Sequence, residues 1–274
     1  MTLTNAADRI VFVGAGKMGA ALLSGLARAG APERVEVVEP RPSVEVTALC
    51  AAQGFVLCAE PPAGAPPAGT LLLAIKPQML ESVAPMLSTL VGPETLVVSI
   101  LAGKRIADLS ARLAAKAFVR AMPNTPAAIG RGIAGAFANA ETSEPQRALA
   151  QRLLEAAGEV VWVEREELID AVTAVSGSGP AYVFLLAECL AAAGAAAGLP
   201  DDLAARLARA TVSGAGELMH RTPELSPVTL RENVTSPGGT TAAALAVLMA
   251  QDGLAPLMTR AVEAAKRRAA ELSG

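Results

Sequence analysis

A glycine-rich loop near the start of the chain limits the possible folds more than any other feature. The loop, Gly14-Ala15-Gly16-Lys17-Met18-Gly19, follows the apolar run Ile10–Val13 and precedes the apolar stretch Ala20-Ala21-Leu22-Leu23. Between a strand and a helix, the first glycine permits a tight turn, the second lets a pyrophosphate approach the backbone, and the third lets the helix pack on the strand. The helix N-terminus adds partial positive charge. The loop therefore predicts a dinucleotide site, with a plain strand–helix turn as the alternative.

Short apolar runs alternate with Ala- and Leu-rich stretches over the first 163 residues. This alternation is typical of βαβ units around a parallel sheet whose strands are covered on both faces. We therefore predict a doubly wound α/β domain over residues 1–164. Its predicted strands are 10–13, 35–38, 55–58, 70–75, 96–100, 117–121 and 160–163, with 133–137 as a further candidate. The proline-rich segment 61–69 predicts an irregular surface turn.

The strand pattern ends before residue 165, and the remainder, 165–274, is predicted to be an all-α domain. The predicted helices are 166–175, 180–199, 201–220, 240–250 and 254–272. The helix 180–199 is apolar almost all round, and such a helix must be covered on every side. The rest of this domain is too short to cover it. We therefore predict that a second copy of the chain does so, in an interlocked homodimer.

Charge and hydropathy exclude some classes of partner. The net charge is −3 and the sequence pI is about 5.4, so there is no electrostatic basis for binding nucleic acid. The mean hydropathy of +0.42 raises the possibility of a membrane protein. However, the segment 180–199 carries Glu188 and lacks a basic flank and an aromatic belt. A buried helix, with no membrane partner, is the prediction.

The cysteines favour a reducing compartment. Cys50, Cys58 and Cys189 show no metal-binding or redox spacing, and their odd number does not suggest a disulfide framework. The chain also lacks an N-terminal basic segment followed by an apolar core. We predict a cytoplasmic protein with reduced thiols and no bound metal.

Two residues after the second predicted strand bear on the choice of coenzyme. Glu39 lies where an acidic side chain usually accepts hydrogen bonds from the adenosine ribose and repels a 2′-phosphate. Arg41 could instead bind that phosphate, and a solvated Glu-Pro-Arg turn is a third possibility. These residues leave NADH and NADPH both open.

Further motifs occur in a fixed order and resemble a known family. After the glycine loop come Ala74-Ile75-Lys76-Pro77, Val97-Val98-Ser99-Ile100, Met122-Pro123-Asn124-Thr125-Pro126, Ser176-Gly177-Ser178-Gly179-Pro180-Ala181-Tyr182 and Ser236-Pro237-Gly238-Gly239-Thr240-Thr241. Over about residues 8–270 the chain resembles pyrroline-5-carboxylate reductases, the last enzymes of proline biosynthesis. The resemblance implies a Rossmann domain followed by a helical dimerisation domain. It also implies dimers, often assembled into decamers, that reduce a cyclic imine with NADPH or NADH and need no metal.

The resemblance also carries residue roles. It implies that the coenzyme is bound by Gly14 to Gly19, by Ala74, Ile75, Lys76 and Pro77, and by the turn with Leu101, Ala102 and Gly103, and that Glu166 lies near the nicotinamide end. It implies a substrate loop with Asn233, Ser236, Gly238, Gly239, Thr240 and Thr241, in which the Thr241 hydroxyl lies beside the imine nitrogen. Three positions depart from the family pattern: Lys17, Leu101 and Glu39. Glu39 in particular weakens the family's preference for NADP(H).

The residues of the substrate loop suit a small carboxylic acid. Gly238 and Gly239 can expose consecutive N–H groups just before a helix, and such groups bind a carboxylate without Lys or Arg. A simple helix N-cap is the alternative. We expect the Thr241 hydroxyl to orient the imine nitrogen, because it is a poor acid.

Other activities stay open at this level. A reductase of a related cyclic imino acid or of a 3-hydroxy acid is one alternative, although no lysine occurs between Lys116 and Lys266 to serve a hydroxy-acid mechanism. A nucleotide-sensing paralogue without catalysis is another. His220 is the single histidine and lies in a polar stretch, so a histidine base is not expected.

Overall fold

The computed structural model describes residues 9–30 and 34–273 of the 274-residue chain. The chain forms two compact units. The first contains the residues up to Gly177 together with those from Ala265 onward, and the second is Ser178–Ala264. The boundary predicted after residue 164 lies at a different position and stays a prediction.

The first unit is built on an eight-stranded sheet with the order β3-β2-β1-β4-β5-β6-β7-β8. The strands are β1 Ile10–Val13, β2 Val35–Val38, β3 Val56–Cys58, β4 Thr70–Leu73, β5 Leu96–Ser99, β6 Ala117–Met122, β7 Gly132–Ala138 and β8 Gly158–Trp162. Its helices are α1 Lys17–Ala29, α2 Val44–Gln53, α3 Leu80–Thr89, α4 Ile106–Ser110, α5 Glu144–Glu155 and α6 Leu168–Val172. All eight strands, including the candidate at 133–137, lie within a few residues of their predicted positions.

The sheet departs from the predicted parallel arrangement at one place. Strands β1 to β6 are parallel, with β1 between β2 and β4, so the strand order reverses direction there. Strand β7 runs antiparallel to β6, and β8 is parallel to β7. The connection 123–131 contains only a 3₁₀ turn, Thr125–Ile129. It is too short for the helical crossover that a parallel pair needs, so the chain turns back.

Two apolar layers cover the two faces of the sheet. Alternate strand residues point to opposite sides: Phe12 packs with α1 and α5, whereas Val11 packs with the layer around Leu80 and Leu87 of α3. Every residue of β1, β2, β4 and β5 is buried. This confirms the prediction of a doubly wound sheet that is covered on both faces.

The second unit is entirely helical. It contains α7 Gly179–Ala196, α8 Asp201–Arg221, α9 Pro227–Asn233, α10 Thr240–Leu248 and most of α11 Leu254–Ser273, whose last turns belong to the first unit. Helices α7 and α8 pack together, with Gly194 facing Ala204. Among the described residues of this unit, Ala204 and Ala208 are the buried ones.

Two helical segments differ from the sequence prediction. The segment predicted as a helix over 166–175 forms α6 and then a π-helical turn, Thr173–Gly177. Helix α9 was not predicted. Its start is marked by Ser226, whose hydroxyl accepts the Thr229 N–H at 3.1 Å, and by Pro227 in the first turn.

Helix α7 is not covered within one chain. None of its residues is buried, and Phe184 is 62% exposed. Among the described residues, the helical segment Leu168–Ala196 is long and apolar enough to cross a bilayer, by length and composition only. One chain therefore does not supply the burial that the sequence predicts for this helix.

Candidate functional site

A groove of about 1360 Å³ lies in the first unit at the carboxyl ends of β1, β2 and β4. In open α/β sheets, ligands bind at this edge, where the strand order reverses. Nine of the residues predicted to hold a coenzyme line the groove: Gly14, Ala15, Gly16, Lys17, Glu39, Arg41, Ala74, Ile75 and Lys76. The groove thus joins loops that are separate in sequence.

The three glycines of the loop have three different steric environments. Gly14 has a φ of +94°, and a Cβ there would lie 2.7 Å from the Ala74 carbonyl oxygen. A Cβ on Gly19 would overlap the Gly14 carbonyl oxygen. At Gly16, by contrast, a Cβ would meet no atom within 4 Å, so packing does not require this glycine. The free space beside Gly16 fits a pyrophosphate that approaches the backbone.

The N-terminus of α1 is available to an anion. Gly16 is its N-cap and has no side chain to occupy the first N–H groups, and the first turn carries no acidic residue. Those N–H groups have no partner within the helix. Lys17, which is exposed and lines the groove, adds a full positive charge. The loop can therefore bind a diphosphate by hydrogen bonding and by charge.

Glu39 is held in place by two backbone groups. Its Oε2 accepts the Ala15 N–H at 2.8 Å, and its Oε1 accepts the Arg41 N–H at 3.0 Å. The carboxylate is therefore fixed to the glycine loop at the end of β2, where the adenosine ribose of a dinucleotide is expected. Arg41 is exposed and lines the same groove. Glu39, whose charge would repel a 2′-phosphate, and Arg41, whose charge would attract it, thus both line the groove near the end of β2.

A proline-rich wall was not recognised as part of the site from the sequence. Residues 61–65 line the groove, together with Ser43, Glu45, Glu60 and Met79. The segment 61–69 was predicted only as an irregular turn. Ser43 could have been found from its helix-start pattern, since its Oγ accepts the Val46 N–H at 3.2 Å.

A buried ion pair supports this wall. Arg9 donates to Glu36 from Nε at 2.9 Å and from a terminal nitrogen at 2.6 Å, and it also donates to the Pro66 carbonyl oxygen. The side chains of Arg9 and Glu36 are 2% and 6% exposed. Hydrogen bonds from Arg9 hold the pKa of Glu36 below its usual value, in spite of the burial that opposes this.

The remaining predicted coenzyme residues lie outside the groove lining. Met18, in the first turn of α1, packs against the core, and Gly19 is buried where the helix meets the loop. Pro77 begins a 3₁₀ turn, Pro77–Met79. Ala102 is exposed in the turn after β5, between Leu101 and Gly103.

Three of the predicted coenzyme residues, Leu101, Gly103 and Glu166, help to form the turn after β5. The Leu101 side chain is 1% exposed and packs in the core, so only its backbone could face a ligand. Gly103 has a φ of +68° and packs against Leu272. Glu166 accepts the Ile106 N–H at 2.8 Å through Oε1. The structure thus gives Glu166 a protein partner, and its contact with a coenzyme stays a prediction.

The predicted substrate loop lies in the second unit, between α9 and α10. Gly238 has a φ of +69°, and the Gly239 N–H donates to the Ser236 carbonyl oxygen at 3.0 Å. Gly239 is the N-cap of α10, and no side chain caps this helix. A Cβ at Gly238 would meet no atom within 4 Å. The turn therefore leaves open space beside the free N–H groups of a nine-residue helix.

The other predicted substrate residues flank this turn. Asn233 is the last residue of α9 and is exposed, as is Ser236. Thr240 begins α10, and Thr241 is partly buried in its first turn. Within the described part of the chain, the Thr241 hydroxyl makes no hydrogen bond, so it is free to meet a ligand. The arrangement can bind a carboxylate and place a hydroxyl beside it.

Known protein families match both the helical part of the chain and the part that contains the glycine loop. Residues 166–272 match the sequence model of pyrroline-5-carboxylate reductase dimerisation, and residues 9–103 match that of NADP oxidoreductase, coenzyme F420-dependent. A pyrroline-5-carboxylate reductase of Pseudomonas aeruginosa is 42% identical over 267 residues, which is 97% of each chain. The chain belongs to the pyrroline-5-carboxylate reductase family.

Solved structures of the family share the fold. A pyrroline-5-carboxylate reductase of Coxiella burnetii superposes with a TM-score of 0.86 at 35% identity, over 98% of this chain and 99% of its own. A pyrroline carboxylate reductase of Plasmodium falciparum, solved with NADP bound, superposes with a TM-score of 0.78 at 26% identity, over 97% and 98% of the two chains. The resemblance inferred from the sequence motifs is therefore confirmed.

Proposed function

We propose that this protein is an NAD(P)H-dependent reductase that converts 1-pyrroline-5-carboxylate to L-proline, the last step of proline biosynthesis. The family relationship over 97% of the chain carries this proposal. The geometry supports it, because one unit has a dinucleotide groove at the switch point of the sheet and the other has a turn suited to a small carboxylate.

The first unit provides the coenzyme site. The fit rests on the open space at Gly16 and on the uncapped N-terminus of α1, which suit a pyrophosphate. When bound there, NAD(P)H supplies the hydride that reduces the C=N bond. Glu39 and Arg41 would contact the adenosine end, and Lys76, at the end of β4, would lie toward the other half of the dinucleotide. The protein thus contributes binding and orientation.

The second unit provides the substrate site. The N–H groups that begin α10 would hold the carboxylate of the imino acid, and the open face of Gly238 leaves room for it. The Thr241 hydroxyl oxygen would accept a hydrogen bond from the N–H of the protonated imine and so hold the ring in one orientation. It would not supply that proton, because a hydroxyl is a poor acid at neutral pH.

The direct test follows absorbance at 340 nm with pyrroline-5-carboxylate and either NADH or NADPH. We expect coenzyme oxidation together with stoichiometric L-proline, measured by chromatography. A six-membered cyclic imino acid, tested in parallel, distinguishes ring specificity. Folded protein that binds coenzyme but forms no proline would contradict the proposal and favour a nucleotide-sensing role.

Thr241 is tested by the variant Thr241→Ala. We expect kcat/KM for the imino acid to fall about 10-fold or more, which is roughly 1.4 kcal/mol of lost transition-state stabilisation. The matched control is Thr259→Ala on α11, where the hydroxyl bonds only the Ala255 carbonyl oxygen of its own helix. Equal kinetics in the two variants would remove Thr241 from the mechanism.

The choice of coenzyme is tested at Glu39. A carboxylate fixed at the end of β2 repels a 2′-phosphate, so Glu39→Ser should raise kcat/KM for NADPH relative to NADH by about 10-fold or more. Glu60→Gln is the control, since Glu60 lines the same groove but makes neither of these backbone hydrogen bonds. An unchanged ratio in Glu39→Ser, or an equal change in both variants, would exclude a specific role for Glu39.

Self-association belongs to the same proposal. We propose that the exposed apolar surface of α7 is covered by a second copy in a homodimer, in keeping with the dimerisation model matched over 166–272. Five such dimers forming a decamer, and a cytoplasmic location without membrane or nucleic-acid partners, are further parts of the proposal. Light scattering after size exclusion distinguishes monomer, dimer and decamer.

A further inference from the structure

The turn that follows β5 lies on the nicotinamide side of the sheet. In this fold the dinucleotide crosses the sheet edge at the switch point between β1 and β4, and its adenosine end lies toward β2. Glu39 marks that end. The loops after β4 and β5 are on the opposite side of the switch point. Residues 100–106, which we call the β5–α4 turn, are therefore placed by topology toward the nicotinamide.

Three contacts hold the β5–α4 turn. At its start, the Ser99 hydroxyl accepts the Leu101 N–H at 3.3 Å. At its end, Glu166 accepts the Ile106 N–H at 2.8 Å. In its middle, Gly103 packs so closely against the last turn of α11 that a Cβ would lie 2.8 Å from the Leu272 carbonyl oxygen. The shape of the turn thus depends on Glu166 and on the end of α11.

One buried arginine contacts both of these supports. Arg120, in β6, is 1% exposed, and one terminal nitrogen lies 3.3 Å from the Glu166 carboxylate. The other lies 3.4 Å from the Ser273 hydroxyl and 3.5 Å from the Asp170 carboxylate. Ser273 follows Leu272 directly and itself lies 3.4 Å from Asp170. A single guanidinium therefore joins the two elements that hold the turn.

We propose that Arg120 is a positioning residue of the reductase, which fixes the β5–α4 turn against the nicotinamide half of the coenzyme through Glu166 and the Leu272–Ser273 end of α11. This proposal rests on the proposed function. It assigns a role to the C-terminal turn of α11, which the sequence motifs did not connect with the coenzyme.

The chemistry of the site requires arginine. Its planar guanidinium presents donors in two directions at once, so it can reach Glu166 on one side and Ser273 and Asp170 on the other. A lysine keeps the charge that balances the two carboxylates but presents a single ammonium. Arg120→Lys therefore removes the hydrogen bonds on one of these two sides, while the positive charge that compensates the Glu166 and Asp170 carboxylates is kept.

The experiment separates the two halves of the coenzyme. ADP-ribose reports the adenosine and pyrophosphate end, whereas the fluorescence shift of bound NADH reports the nicotinamide. For Arg120→Lys we expect kcat to fall about 10-fold and the fluorescence shift to diminish, with the Kd of ADP-ribose within about twofold of wild type. Ser273→Ala, which removes one of the contacts, should show the same pattern at about threefold.

The control is Arg147→Lys in α5, which changes another arginine of the same unit whose guanidinium lies 4.4 Å from the centre of the Trp162 ring and which is not among the residues that line the groove. It should keep the nicotinamide fluorescence shift and kcat within about twofold of wild type, even where it lowers the unfolding midpoint. Unchanged kcat and fluorescence in Arg120→Lys would overturn the proposal. So would a parallel loss of ADP-ribose binding. If Arg120→Lys does not fold, unchanged kcat and fluorescence in Ser273→Ala would overturn the proposal instead.

The binding readout also separates this proposal from the assignment of substrate. Wild-type protein that binds NADH with a fluorescence shift but does not reduce the imine would contradict the proposed function alone. The comparison of Arg120→Lys with wild type by fluorescence and by ADP-ribose binding would still test the positioning role.

Discussion

The two units of this protein bury their apolar residues in different ways. In the first unit, β1, β2, β4 and β5 are fully buried, and α1, α3 and α5 cover the two faces of the sheet. In the second unit, α7 and α10 have no buried residue, although both are strongly apolar. One chain thus completes the core of the first unit and leaves that of the second incomplete.

The difference shows which unit can be understood from one chain. Apolar side chains in water cost free energy roughly in proportion to their exposed area, so helices as apolar as α7 need a partner surface. The match to a dimerisation model over 166–272 indicates that this partner is a second copy. The residues that line the coenzyme groove, by contrast, all come from the first unit of one chain.

A charge introduced on the apolar surface of α7 is the strongest test of this difference between the two units. We expect Phe184→Asp to weaken the dimer about a thousandfold, because a symmetric interface loses two phenyl groups worth roughly 2 kcal/mol each. Sedimentation equilibrium measures the dissociation constant. Val44→Asp is the control, since Val44 is more exposed, at 81% against 62%, but lies in the first unit. A Phe184→Asp protein that stays dimeric at micromolar concentration would break the comparison.

A substitution that creates a cavity in the core of the first unit should lower the stability of the protein without weakening the dimer. Leu153, in α5, is 1% exposed, and Leu153→Ala should lower the unfolding free energy by about 3 kcal/mol. The dimer dissociation constant should stay within about threefold of wild type. Leu186→Ala, on the exposed face of α7, should instead raise that constant by tenfold or more. Urea unfolding and dilution light scattering distinguish the two effects, and the reverse pattern would show that the units share one core.

The buried ion pair gives the smallest of the three effects. The pKa of Glu36 is lowered in the folded state by Arg9, so its contribution to stability is full above the pKa of an unfolded glutamate. That contribution is lost as the pH falls through the lower, folded pKa. In Glu36→Gln, the loss of unfolding free energy between neutral and acid pH should shrink by on the order of 1 kcal/mol. The exposed Glu94→Gln is the control, and equal acid sensitivity of this control and Glu36→Gln would argue against the pair.

Local patterns accounted for most of the fold. The runs at Ile10–Val13 and Val35–Val38 are strands at the predicted residues, and the loop at Gly14 has the left-handed φ that its motif implies. Strand β7 was found, but its direction was not, because direction depends on how the short segment 123–131 crosses the sheet edge. Helix α9 was missed because its seven residues carry too little periodicity to detect.

The candidate site was partly predictable for the same reason. The groove contains the glycine loop, Glu39 and Lys76, each of which belongs to a short motif at the end of a strand. The proline-rich wall at 61–65 has no motif, and the residue that donates to the carbonyl oxygen of the adjacent Pro66 is Arg9, 57 positions earlier in the chain. The roles of the substrate-loop residues stay predictions.

By itself, the sequence determined the class of fold, the order of the strands along the chain, the family and the positions of the two glycine turns that are predicted to bind anions. These depend on periodicity, on glycine and proline, and on neighbours a few residues apart. Only the tertiary structure decided that β7 reverses, that Glu39 bonds the glycine loop, and that Arg120 meets Glu166 and Ser273. Such contacts join residues that are far apart in the chain, and packing alone determines which of many possible partners a buried charge will meet.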